Sequence, residues 1–200
     1  MNIVPPDEEG FARALDALAC DEVVAYPTEA VYGLAVNPLS DKGLATLFSI
    51  KERDPHIPVL LIVADDTQLR PFVSSIDGKT RAFMKRFWPG PLSLLFKAGE
   101  GLPKALVGDG GHICLRCPGS SLARLLCAQW GGALTSTSAN LSGQPPARTA
   151  ESASLPGVAL TLDGGVLEPG APSTVFDAVT GRILRPGAVA DTLLLDFWNE

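Results

Sequence analysis

Residues Val59 to Val63 form an unbroken apolar run, bounded by Pro58 and, just beyond Ala64, by Asp65 and Asp66. Such a run, apolar on both faces, reads as a central strand of a sheet covered on each side. The rest of the chain must supply the neighbouring strands and both covering layers. A helix starts at Asp7, an N-cap followed by Glu8 and Glu9, with Phe11, Ala14, Leu15 and Leu18 on one face. Ser40 or Asp41 caps a second, with Leu44, Leu47 and Phe48 inward and Lys51 near its end. Further helices read at Lys79 to Trp88, at Ser120 or Ser121 to Trp130 (closed by Gly131 and Gly132), and at Asp191 to Trp198. A short helical segment opens at Asp65-Asp66-Thr67. Strands read at Glu22 to Tyr26, Leu92 to Lys97, His112 to Cys117, Ala133 to Thr135 and Val158 to Leu162. Ser173 to Ala178 and Arg182 to Leu184 suggest a hairpin. Pro55 and Pro58 break the chain, and Trp88-Pro89-Gly90-Pro91 is a rigid turn. Gly99 to Gly111 is a Gly-rich loop expected to be mobile. Strands alternate with helices until hairpin-like strands close the chain. This predicts an α/β or α+β fold: a mixed sheet with helices packed on it. No repeat, low-complexity tract or linker divides it, so one domain over residues 1–200 is expected.

At 200 residues and 46% hydrophobic content, the chain can bury a substantial core. Sixteen Lys and Arg against 22 Asp and Glu leave a net charge of −6. That balance argues against a surface coated for nucleic-acid backbones, though it allows a local basic groove. No apolar run approaches the roughly 18 residues of a membrane span. Met1 to Gly10 is acidic and carries Pro5 and Pro6, unlike a signal peptide. A cytoplasmic protein without a membrane segment is the expectation. Cys114 and Cys117 form a C-x-x-C, but on a strand residues three apart face opposite ways. Cys20 and Cys127 add no matching pair, so neither a metal site nor a redox pair is expected. Free thiols fit a reducing compartment.

Phosphate-loop, dinucleotide, nucleophile-elbow, zincin and kinase motifs are all absent, and His56 and His112 lie far apart. What remains is a set of polar clusters at element ends. Tyr26 to Leu34 releases a hydroxyl, a carboxylate, a phenol and a glycine just after a strand that stops at Pro27. This is either a ligand loop or an ordinary turn. Lys51 and Arg53 are either a cationic helix end or a clamp for phosphate or carboxylate. Arg116 sits in an apolar strand, sharing a face with His112 and Cys114. A guanidinium there must meet a structural acid or a ligand anion. Ser136-Thr137-Ser138-Ala139-Asn140 follows an apolar strand and offers a hydrogen-bonded turn or a polar cradle. Pro172-Ser173-Thr174 and Arg185-Pro186-Gly187 add a hydroxyl and another cation. Dispersed cations and many hydroxyls, with no obvious nucleophile, suit positioning and electrostatic stabilisation of an anionic small molecule.

Taken in order, these clusters resemble the YrdC/TsaC family, the L-threonylcarbamoyladenylate synthases. The resemblance runs through Pro27-Thr28-Glu29-Ala30-Val31-Tyr32-Gly33-Leu34, Lys51-x-Arg53 and Trp88-Pro89-Gly90-Pro91. It continues through Arg116 with Pro118, Ser136 to Asn140, Pro172-Ser173-Thr174 and Arg185-Pro186-Gly187. It implies an open twisted sheet around a concave cleft, in the short form lacking an extra C-terminal domain. It also implies a nucleotidyltransferase reaction, with L-threonine, bicarbonate and ATP giving threonylcarbamoyl-AMP, pyrophosphate and water. Partner proteins would then pass the threonylcarbamoyl group to a tRNA adenosine, with tRNA itself bound at most weakly. By the same resemblance Lys51, Arg53, Ser138, Asn140 and Arg185 would hold ATP, with Mg²⁺ helping. Thr28, Arg116, Ser136 and Ser173 would hold threonine, Arg116 on its carboxylate. No covalent catalytic residue is implied. Three departures stand out: Asp54 precedes Pro55, with His56-Ile57 in the following turn; Ala30 replaces a common second threonine; and Ile62 replaces a histidine of archaeal-type relatives. The alternative is a double-stranded RNA or tRNA-binding module without catalysis, which requires a continuous basic surface.

Overall fold

The computed structural model describes residues 2–54 and 56–200. Pro55, read above as a chain break, lies outside them. In chain order the elements are β1 (Ile3–Val4), α1 (Glu8–Ala19), β2 (Val23–Pro27), β3 (Tyr32–Ala35), α2 (Asp41–Lys51) and β4 (Leu60–Ile62). Then come α3 (Gly78–Phe87), β5 (Leu92–Lys97), β6 (His112–Arg116), α4 (Ser121–Trp130) and β7 (Leu134–Ser138). The last are α5 (Ala150–Ala153), β8 (Val158–Leu162), β9 (Thr174–Asp177), β10 (Arg182–Arg185) and α6 (Asp191–Asn199). Side chains set the helix starts: Asp7, Ser40 and Ser120, among the caps the sequence predicts, and Asp77, which it does not, each accept a backbone N–H of the first turn. Gly131 closes α4 in the left-handed conformation, φ 77°.

The ten strands form one mixed sheet in the order β1-β8-β2-β3-β7-β4-β6-β5-β9-β10. β4 is central, paired in parallel with β6 and antiparallel with β7. Alternation divides the strand residues between two faces. Val23, Ala25, Leu34, Leu61, Leu94 and Leu115 point to the face that packs with Leu44 and Leu47 of α2, Phe83 of α3 and Leu194 of α6. Val24, Tyr26, Ile62, Leu134 and Leu160 point to the other, under Phe11 and Leu18 of α1 and Ala123 and Leu126 of α4. This second cover stops short. On the same face Ser136, Ser138, Leu60, Cys114, Arg116 and Leu95 are only half-buried. The sheet therefore presents an open polar floor beside a helix-covered core.

Several expectations change. Pro27 does not end its strand before the ladder; it is the last paired residue, opposite Tyr32, and the chain returns as β3. The Gly99 to Gly111 loop is anchored: it holds a 3-10 turn (Lys104–Leu106), Leu106 is fully buried, and Val59 N donates to Ala105 O. Cys114 lies on the open face, while Cys117 follows β6 and is buried with its thiol on Ala64 O. Among the described residues no helix is long and apolar enough to cross a membrane.

Candidate functional site

One cluster is built where α2 meets the end of β7. Lys51 closes α2, and Glu52 turns the chain sharply with φ 49°, a left-handed conformation unusual for a residue with a Cβ. That turn leaves Lys51 buried at 3% exposure and aimed at the β7 end. Its Nζ donates to Ser138 O (2.5 Å), Asn140 O (2.9 Å) and Asn140 Oδ1 (3.1 Å). Ser138 Oγ donates to the same Asn140 Oδ1 at 2.6 Å. Arg53 reaches back over the next turn, with Nε on Ile57 O (3.3 Å) and Nη2 on Pro58 O (3.0 Å). The Asp54 departure has a local role: its Oδ1 accepts His56 N at 2.9 Å.

A second cluster lies across the open floor. Arg116 is the register partner of Ser93 on β5, which in turn pairs Val175 on β9 and, through it, Arg185 on β10. These positions share one sheet face. Ser93 Oγ and Ser173 Oγ are hydrogen-bonded at 2.8 Å, and Arg185 Nη2 donates to Ser173 O (2.8 Å) and Ser173 Oγ (3.2 Å). Arg116 Nε donates to Gly90 O at 2.9 Å, which ties the Trp88 to Pro91 turn to the cleft. Its Nη2 forms an ion pair with Glu29 Oε1 at 2.5 Å. Glu29 Oε1 also accepts Gly119 N (2.8 Å) and Ser120 N (3.1 Å) at the head of α4. Between the clusters, Tyr26 OH donates to Ser136 Oγ at 2.7 Å. Thr28 Oγ1 is turned onto Val31 O at 2.5 Å, closing the β2–β3 turn.

Electrostatically the floor is cationic on a protein of negative net charge. The Arg116–Glu29 contact is the one salt bridge among the described residues, so Lys51, Arg53 and Arg185 carry charge without a carboxylate partner. Burial, with Arg53 as the second cause, pulls Lys51 from 10.5 down to about 8. Burial also lowers Arg53 and Arg116, with Glu29 opposing the shift at Arg116; both guanidiniums stay charged. Burial pushes the Cys114 thiol up to about 12, so it is neutral on the floor. Such an array can hold anions and orient them against hydroxyls.

The structure thus brings Lys51, Ser138 and Asn140 into one contact group, and Arg116, Ser173 and Arg185 into one row. Ser136 lies on the floor between them, and Thr28 and Arg53 sit at turns beside it. Sequence reasoning left Glu29, Ser93 and the Tyr26 hydroxyl without roles. The signal for Ser93 was a lone hydroxyl in the apolar strand Leu92 to Phe96. Of the departures, Ala30 packs its methyl toward Gly170, and Ile62 is buried in the α1–α4 core. A separate cavity of about 480 Å³, lined by Asp65, Asp66, Arg81, Lys85 and Arg124 among others, lies behind Trp88 and contains none of these residues.

An uncovered sheet face gathering cations and hydroxyls defines a small-molecule, anion-binding α/β protein. The chain belongs to the Sua5/YciO/YrdC family, whose model, described as "Telomere recombination", matches residues 16–187. It is 40% identical over 185 residues to the threonylcarbamoyl-AMP synthase of Yersinia enterocolitica, covering 88% of this chain and 95% of that protein. It is 39% identical over 177 residues to the synthase of Chromohalobacter salexigens, covering 88% and 96%. P. abyssi Sua5 complexed with L-threonine superposes with a TM-score of 0.89 at 28% identity, over 98% of this chain and 59% of that chain. The chain therefore spans about three fifths of Sua5. E. coli YciO, at 24% identity and TM-score 0.83 over 97% of this chain and 98% of that one, shares the fold.

Proposed function

We propose that this chain is an enzyme that makes threonylcarbamoyl-AMP from L-threonine, bicarbonate and ATP, the first step of N6-threonylcarbamoyladenosine formation in tRNA. The observation that carries this reading is the pair of cation-and-hydroxyl clusters on one open sheet face. The near full-length match to two synthases supports it. Lys51, Arg53, Ser138, Asn140 and Arg185 hold ATP; Thr28, Arg116, Ser136 and Ser173 hold threonine, whose carboxylate faces Arg116. The products define the bond changes. The threonine nitrogen joins the bicarbonate carbon with loss of water. An oxygen of the resulting carbamate joins the α-phosphorus, and the α–β phosphoanhydride breaks to release pyrophosphate. No covalent adduct with the protein is needed, so the residues act by placing the amine, the carbon and the α-phosphate in line and by stabilising charge on the phosphates. This is a nucleotidyl transfer.

Among the described residues no group of three or more His, Cys, Asp or Glu could hold a metal ion. In this reading Mg²⁺ would arrive bound to the triphosphate rather than in a protein cage. The reading places the enzyme in the cytoplasm, handing its product to partner proteins that act on tRNA.

The test is pyrophosphate release from ATP with Mg²⁺, with and without L-threonine and bicarbonate. Release that requires both, with the threonylcarbamoyl-AMP mass in the mixture, is the expected result. Release indifferent to threonine would overturn the assignment.

A further inference from the structure

The geometry points to Glu29 as the residue that positions the Arg116 guanidinium, and through it the carboxylate of L-threonine; this rests on the synthase reading above. One oxygen, Oε1, takes three donors: Arg116 Nη2 (2.5 Å), Gly119 N (2.8 Å) and Ser120 N (3.1 Å). The two backbone donors are fixed at the head of α4, so the carboxylate is a rigid post rather than a second mobile side chain. Arg116 is held on another edge by Gly90 O, at 2.9 Å from Nε. Two anchors on different elements fix the plane of a long side chain before any ligand arrives. Its rotamer entropy is then already lost when a carboxylate docks. Among the described residues Nη1 makes no hydrogen bond to the protein, which leaves one edge of the fork for a ligand oxygen.

The opposite reading is that Glu29 is an internal carboxylate competing with threonine for Arg116. The three bonds on one oxygen argue against it. Two of them hold Glu29 whether or not Arg116 is engaged, and the third uses only one of the guanidinium nitrogens. The two readings predict opposite signs when Glu29 is removed.

The test compares E29A and E29Q with the unsubstituted protein by steady-state pyrophosphate release, varying threonine and ATP separately, with thermal unfolding in parallel. E29A is expected to raise the threonine KM about tenfold, the effect of losing a charge-assisted hydrogen bond. The ATP KM and kcat should stay within about twofold. E29Q keeps an acceptor oxygen at the same reach and should recover to within about threefold of the starting threonine KM. A threonine KM unchanged or lowered in E29A, an equal rise in the ATP KM, or an E29Q no better than E29A overturns the inference. Where E29A does not fold, E29M keeps the side-chain length without an acceptor and takes its place. If the unsubstituted protein shows no threonine-dependent release, the synthase reading itself falls, and this role with it.

Discussion

Lys51 carries the clearest conflict in the molecule: an ammonium at 3% exposure with three oxygen acceptors and no carboxylate. Held down at about 8, it keeps its proton at pH 7 and sheds it as the pH rises past about 8 in the free enzyme. The expected outcome is a fall in kcat/KM for ATP above about pH 8, with little change for threonine; pH profiles of both parameters test it. Lys51→Ala should raise the ATP requirement more than the threonine requirement, and Arg116→Ala the reverse. Equal effects on both substrates would undo the division of the cleft. Stability follows a different set of groups. Between about pH 8 and 10.5 the unfolded chain holds a Lys51 proton that the folded one has lost, so this residue alone makes the fold firmer as pH rises. Buried Cys114, Cys117 and Cys127 oppose it, pushed from 9.0 up to about 12, 11 and 12, and Tyr26 is raised as well. Above about pH 9 the unfolded chain sheds the thiol protons, and above about pH 10 the Tyr26 proton, while the folded chain keeps them. Each such group then costs about 1.4 kcal/mol per pH unit. Three thiols outweigh one amine, so urea midpoints under reducing conditions should fall from pH 9 to pH 10. A Cys114→Ala variant should show a shallower fall.

Among the elements, the β2–β3 hairpin shows what a close approach demands. A Cβ on Gly33 would lie 2.9 Å from Tyr26 Cζ and 3.0 Å from its hydroxyl, the group bonded to Ser136. Gly33→Ala should therefore cost about 1–3 kcal/mol and weaken threonine binding along with stability. Gly78→Ala, at the first residue of α3 with open space around it, should add about 0.4–1 kcal/mol. Denaturant melts of the pair separate steric conflict from helix propensity. The same hairpin marks where the sequence becomes unreadable. Its turn is Thr28-Glu29-Ala30-Val31, without the Asn-Gly or Gly-rich signature that usually announces a hairpin, and is closed instead by Thr28 bonding to Val31 O. β3 was accordingly invisible, as were the two-residue β1 and the single turn of α5. Strands with complete patterns were legible, Leu92–Lys97 to the residue. Arg116 was legible as an anomaly in an apolar strand, but its partner Glu29 was not. They are 87 residues apart, and only the order β2-β3-β7-β4-β6 brings them to one edge of the cleft.

At the scale of the whole molecule, the cleft depends on packing far behind it. Phe83 of α3 meets Phe176 of β9 at 4.7 Å and Trp198 of α6 at 5.5 Å, and Phe176 meets Trp198 at 5.2 Å. This aromatic knot backs the strand that follows Ser173 and pairs with the strand of Arg185. Deleting residues 191–200 removes Leu194, Phe197 and Trp198, on the order of 5 kcal/mol of burial out of a total stability of similar size. The expected result is a large drop in melting temperature and loss of threonine-dependent turnover. Restoring stability with a compatible osmolyte should return part of the activity. The sheet order has a further meaning for how the protein is made. β2 lacks its outer neighbour until Val158–Leu162 of β8 has been synthesised, and β5 until Thr174–Asp177 of β9. A growing chain on the ribosome therefore carries open strand edges on both sides through most of its synthesis. Closure waits for β8 and β9, a topology of the slower-folding kind. Ser173 and Arg185, both in the proposed site, come only with β9 and β10, after the rest of the floor has been made.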